Sequence, residues 1–270
     1  MAQKTPNTDW TLGPGHGGTR GTPNPDYGRG IFRRRVVLIS QEMSVRAGVE
    51  DAYHSFRLTL KHDRHAVVAL DAQALRVPLS TCPAATIALS RLVGTPLDAS
   101  LSSLRREHSP RSHCTHLYDL ASLALAHALR QGRRQYDVEI PDEYPGAAWS
   151  RVLLNDVEVH RWQTYRNTIQ APDTLRGHPL LRGFNEWAQR AFTGDALEAA
   201  RAFQQGYFVS RARPWGIEAD AGQSVAHHAA MRGACFSYAP EVMATAIRLA
   251  GTTRDTTDAG TPLLADLMPT

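Results

Sequence analysis

The sequence predicts an α+β fold in which antiparallel β-hairpins pack against a helical layer. Short β-branched and aromatic runs alternate apolar with polar residues at Arg35–Ile39, Tyr53–Leu60 and Val67–Val77, and the pattern resumes after Gln135. Turn residues separate these runs, so neighbouring strands read as hairpins. Between the two groups the apolar period becomes helical, and it is longest over about 112–131, the expected long central helix.

The elements follow in order. A chain of 270 residues, 42% of them hydrophobic, can bury a sizeable core. Residues 1–31 are dominated by Gly, Pro, Thr and Asn, which predicts a flexible leader, with residues 32–270 forming a single α+β domain. Gly13, Gly15 and Gly18 in that leader match a dinucleotide-binding spacing. No strand precedes them and Pro14 interrupts, so the match is coincidental. His62-Asp-Arg-His65 separates two alternating runs as a hairpin tip. Thr81 can cap a helix with Pro83 in its first turn; Ile87, Leu89 and Leu92 give that helix an apolar face, and Gly94 ends it. A short helix is expected near Leu97–Arg106. In the long helix, Leu117, Leu120, Leu123, Ala124 and Ala128 recur at helical spacing before Gly132. Strands are then expected at Gln135–Ile140, Ala148–Leu154 and Val157–Ile169, with a turn at Asn155-Asp156, and helices at Leu181–Phe192, Asp195–Val209 and from Pro240 to Gly251.

Charge and cysteine usage bound the partners. The formal net charge is +4, and much of the basic excess falls in an arm carrying Arg20, Arg29 and Arg33-Arg34-Arg35. No helix-turn-helix, zinc-finger spacing or aromatic RNA-binding strand accompanies it, so nucleic acid is not an expected partner. No stretch approaches the roughly 20 apolar residues of a membrane span, and the first residues lack the apolar core of a secretory signal. The expectation is a cytoplasmic protein with no membrane partner. Three cysteines are too few, and odd in number, for a disulfide framework, so reduced thiols are expected.

Cys82 in S-T-C-P-A-A and Cys114 in S-H-C-T-H-L-Y-D-L sit where helices should begin, where unpaired N–H groups and the helix dipole favour thiolate. His116 and Asp119 follow Cys114 within one turn, bringing a nucleophile, a base and a carboxylate together. His62 at the hairpin tip is a fourth catalytic candidate. Each residue alone also admits an ordinary role: a small inert core thiol, an internal ion pair, a solvated turn. Cys82, Cys114, His116 and Cys235, with Asp119 beside them, form a donor set that suits one zinc or iron ion, although no C-x-x-C pair is present. Without a metal, Cys114 serves as nucleophile or His116 as general base, with Asp119 orienting the imidazole. Trp149, Trp162 and Tyr165 on the second hairpin are either core or the wall of an apolar pocket.

Several segments together resemble a known family: Tyr53-His54-Ser-Phe56, Leu60-Lys-His62-Asp63, Thr81-Cys82-Pro83-Ala-Ala85, Cys114-Thr115-His116-Leu117-x-Asp119-Leu120, Gly183-Phe184-x-x-Trp187-Ala188, Val209-Ser210-Arg211, and Cys235-Phe-Ser237 followed by Arg254-Asp255. The chain is similar over about Arg33 to Leu267 to the bacterial domain of unknown function 2889. C-T-H-L-x-D-L is the most specific piece. Ala84 and Arg64 stand where the family pattern has Gly. The resemblance implies no settled activity, but it implies that the three cysteines, His62, His116 and Asp119 belong to the family pattern. The functional expectation is an enzyme of small-molecule metabolism, such as aromatic-compound catabolism. It acts on a small, partly apolar aromatic or acyl metabolite by acid–base or metal-assisted chemistry of lyase, oxygenase or hydrolase type. The alternative is a non-catalytic ligand-binding or accessory protein whose cysteines are structural.

Overall fold

The computed structural model describes residues 22–99, 101–260 and 262–268. Strands β1 (Ile31–Gln41), β2 (Ser44–Asp51), β3 (Ser55–His62) and β4 (Val67–Arg76) form one antiparallel meander. A helical excursion follows: α1 (Ala85–Ala88) between two 3-10 turns, then α2 (Leu101–Glu107) and α3 (Thr115–His127). Strands β5 (Gly132–Pro141), β6 (Ala148–Leu154), β7 (Val157–Tyr165) and β8 (Thr168–Ala171) make a second meander, followed by α4 (Phe184–Ala191), α5 (Gly194–Ser210) and α6 (Pro240–Met243). The two meanders join through β1 and β5 into one eight-stranded antiparallel sheet of order β4-β3-β2-β1-β5-β6-β7-β8. The α+β class and its antiparallel hairpins are therefore as expected.

Alternation along β1 decides which face carries what. Phe32, Val36 and Leu38 point into the main core with Arg34 among them, while Val37 points the other way, onto Leu264 and Leu267 of the C-terminal segment. Helix α3 lies over β1, β2 and β3, and α5 over β5, β6 and β7. Each fully buried Leu or Phe in this layer contributes about 1.5–3 kcal/mol. Helix α5 approaches β5 closely because Gly206 presents no side chain there; a Cβ at that position would lie 2.6 Å from Val138 Cγ1.

Several boundaries differ from expectation, each for a local reason. Strand β2 was not foreseen, and it pairs with both β1 and β3. Its buried Val45, Ala47 and Val49 do alternate with Arg46, Gly48 and Glu50, but Ala47 and Gly48 are poor strand formers and weaken the signal. The run expected as one strand over Val157–Ile169 is a hairpin, because Arg166 and Asn167 adopt positive φ of 48° and 66°, the same turn geometry as Asn155 and Asp156 at 48° and 65°. Asn-Asp advertises such a turn; Arg does not. Arg64 also adopts a positive φ of 76°, a conformation that glycine reaches without steric cost. Ala84, by contrast, is right-handed helical at φ −65°, so no glycine is required there. The long helix is shorter than expected, with Cys114 as its N-cap residue. The last helix stops at Met243.

The expected leader ends earlier than residue 31. Asn24 N donates to Pro214 O at 2.9 Å, and the Gly28 and Gly30 amides donate to Asp142 Oδ2 at 2.9 and 3.0 Å, tying this stretch to the domain. The first part of the leader, with Gly13, Gly15, Gly18 and Arg20, lies outside the described residues. The arginine run counted with the basic arm belongs to β1, and each member is paired: Arg33 with Glu139, Arg34 with Asp51 and Arg35 with Asp137. Among the described residues, no helix is long and apolar enough to cross a membrane.

Candidate active site

A cavity of about 170 Å³ lies between the inner face of the sheet and the helices, bounded by β1, β2, α2, α3 and α5. Its apolar wall includes Val36, Val49, Leu104, Leu120 and Leu123, and its polar wall includes Arg34, Arg105, His116, Asp119, Glu198 and Arg201. The spacing of His116 and Asp119 along α3 turns both toward this space, as the stripe in the sequence implies.

Asp119 carries the clearest signature of chemistry. Its carboxyl is pushed up to about 6, because burial outweighs the attraction of Arg105, Arg34 and Arg201. Oδ2 is buried without a hydrogen-bond partner. A carboxyl held near neutrality with a free oxygen can both give and take a proton. His116 is held neutral: burial, then the neighbouring His54 and Arg34, push its imidazole well below the ordinary range, and Asp51 only partly offsets them. Its Nε2 is also buried and unpartnered. Asp119 makes no hydrogen bond to His116, so the expected orienting role is not the one seen.

His116 is held by other groups. Its ring stacks on His54 with centroids 3.8 Å apart and planes 30° off parallel. His54 is fixed in turn by Asp51, whose Oδ1 accepts from the amides of Tyr53 and His54 and lies 3.0 Å from His54 Nδ1. Burial alone would raise the Asp51 carboxyl, but His54 and Arg34 hold it well below the usual carboxylate range. Asp51 thus stays charged at 0% exposure. The sequence reading missed Asp51, His54 and Arg34 as site residues. The available signals were Asp-x-x-His across a tight hairpin, and an Arg on the inward period of a strand.

The cysteines do not behave as expected. Cys114 caps α3, yet its thiol is pushed strongly up by burial and by the neighbouring Cys235 and Cys82, which outweighs the helix-terminal amides. The nucleophilic thiolate is therefore disfavoured. Cys114 does not line the cavity, and its contact with the site is Sγ at 3.9 Å from His116 Nδ1. Cys82 is likewise raised by burial and accepts from Ser237 Oγ at 3.3 Å; Cys235 is raised to about 11, again by burial first. His62 is buried at the end of β3, accepts the Arg64 amide on Nδ1 at 3.2 Å, and lies away from the cavity wall. Trp162 belongs to an aromatic cluster with Phe184, Trp187 and Phe203, while Trp149 is 48% exposed; neither they nor Tyr165 wall the cavity.

The donor set also differs. Among the described residues, the group whose potential ligand atoms all lie within 4.8 Å of one another is Asp51, His54 and His116. Of the expected set of Cys82, Cys114, His116 and Cys235, only His116 belongs to it. A tetrahedral ion needs two imidazoles to aim their in-plane lone pairs at one point about 2.0–2.1 Å away. Here the two rings lie face to face, and Arg34 occupies Asp51 Oδ2. The arrangement as it stands is a stacked and hydrogen-bonded support for His116, not a coordination shell.

Within the polar wall, Glu198 anchors α5 to α3 and β5. It lies 2.9 Å from His127 Nε2 and accepts from Tyr136 at 2.7 Å and Arg130 at 3.0 Å. Burial opposes its ionisation, but His127, Tyr136 and Arg130 lower its carboxyl to about 2.

Fold and site together define an α+β protein with one antiparallel sheet and a cavity beneath its helical layer that is lined by both His116 and Asp119. The model of the family described as Protein of unknown function (DUF2889) matches residues 35–131, and over that span the chain is similar to that family. The matched span contains Asp51, His54, His62, Cys82, Cys114, His116 and Asp119; Glu198, Arg201 and Cys235 lie beyond it. No curated protein matches the sequence.

Proposed function

We propose that this protein is an enzyme that transfers protons to and from a small, partly apolar aromatic or acyl metabolite, in the manner of a lyase or hydrolase. The observation that carries this reading is Asp119: a cavity-facing carboxyl with an unpartnered buried oxygen and a protonation equilibrium near neutrality. Asp119 gives and takes the proton, and neutral His116, backed by the His54–Asp51 pair, serves as the second base. Catalysis through a Cys114 thiolate finds no support in a thiol so strongly disfavoured as an anion. The size of the cavity limits the substrate, because a cavity of about 150 Å³ holds one benzene molecule. A single ring or a short acyl chain fits the volume of about 170 Å³.

A second reading, a ligand-binding protein without turnover, is supported by the burial of Cys82 and Cys114, which suits structural thiols. Both readings are tested by following a panel of single-ring and short-chain acyl compounds by mass spectrometry. The enzyme reading expects at least one compound to be consumed, with about a hundredfold or greater loss in Asp119→Asn and His116→Ala and little loss in Cys114→Ala. Compounds that bind yet are returned unchanged by the native protein would leave the ligand-binding reading.

A further inference from the structure

Two guanidinium groups in the cavity wall feel nearby carboxyls but make no close ion pair. Arg34, the third arginine there, is paired with Asp51, whereas neither Arg105 on α2 nor Arg201 on α5 forms an ion pair with any described carboxylate. Nε of both Arg105 and Arg201 is buried without a hydrogen-bond partner. Both side chains line the same cavity, where burial first and then Arg105 disfavour the charge on Arg201. Two like charges brought together in a partly desolvated space raise the energy of the empty site, and a bound anion relieves that repulsion.

The nearby carboxyls do not meet this need. Glu198 is committed to His127, Tyr136 and Arg130, and Asp119 keeps a free oxygen instead of forming a bidentate pair. Leu104, Leu120 and Leu123 face the same space and give an apolar body somewhere to lie.

We propose that the cavity recognises a small organic acid, with its carboxylate held between Arg105 and Arg201 and its ring or acyl chain against Leu104, Leu120 and Leu123. This rests on reading the cavity as the substrate site, and it names the substrate class as carboxylic acids. It does not depend on turnover.

The test compares three acids, benzoate, phenylacetate and butanoate, with their primary amides by titration calorimetry on the full-length protein. At least one acid is expected to bind ten or more times more tightly than its amide. Arg105→Gln and Arg201→Gln should each weaken the acid at least tenfold more than the amide, and so remove that preference. Relief of repulsion adds a readout that a merely structural arginine would not show: each ligand-free variant melts at or above the native temperature, but gains no stability from the acid. Should Arg201→Gln fail to fold, Arg105→Gln and Arg201→Lys carry the comparison. Equal affinity for acid and amide, no binding of any acid, or acid preference surviving in both variants overturns the inference. Binding of acids without conversion would sink the enzyme reading and leave this one standing; conversion of neutral compounds alone would do the reverse.

Discussion

His54 and His116, from a sheet hairpin and the first turn of α3, stack at 3.8 Å between ring centroids and so join the sheet to the cavity wall. Burial first, and then the neighbouring His54 and Arg34, keep the His116 imidazole neutral. Its folded value lies below its unfolded one, so the unfolded chain takes up the proton first, and the stability linked to this group falls as pH drops below about 6.5. Nitrogen chemical shifts of His116 should therefore report a neutral ring at pH 6.5, and an imidazole half protonated there would refute this arrangement. In His54→Ala, which removes the neighbour, the His116 titration should move upward.

Asp119 gives the opposite sign for a carboxyl. Its value of about 6 exceeds the ordinary 3.8, so below about pH 4 it is protonated in both states and carries no penalty. Between there and pH 6 the folded state binds more protons, and stability falls by up to about 3 kcal/mol as pH rises. Asp119→Asn should therefore raise the melting temperature at pH 7, with the gain vanishing near pH 4. A variant less stable than the native protein at pH 7 would show that the carboxylate is a structural anchor.

The thiol of Cys114 should resist alkylation. Because burial disfavours its thiolate so strongly, iodoacetamide at pH 7.5 should leave Cys114 unmodified in the folded protein and label it after denaturation. Rapid labelling of Cys114 in the native state, read by peptide mass spectrometry, would restore it as a nucleophile.

Gly206 tests how closely α5 sits on the sheet. Helix propensity alone predicts that Gly206→Ala stabilises by about 1 kcal/mol. The Cβ would meet Val138 at 2.6 Å, so the substitution should instead destabilise by about 1–3 kcal/mol, measured by denaturant unfolding. Because α5 carries Arg201 and Glu198, the same change should weaken ligand binding in the cavity.

The sequence by itself determined the α+β class, the β3–β4 and β6–β7 hairpins, the helix beginning at Cys114, and the placement of His116 and Asp119 on its inward side. These follow from local periodicity and turn chemistry, which each stretch of chain carries within itself. Tertiary structure alone decided which groups meet. Arg34 reads as one more charge in a basic run until the register of β1 against β2 sets it beside Asp51. Asp51 and His54 become support for the site only when their hairpin meets α3. Arg105 and Arg201 lie far apart in sequence, and they line one cavity because folding brings α2 and α5 to its wall. The thiols went the other way. The sequence shows a helix terminus that favours charge, but whether that terminus is wet or dry depends on what packs over it. Burial of a charge outweighs a helix end, so Cys114 stays protonated while the cavity gathers its polar wall from elements that only folding brings together.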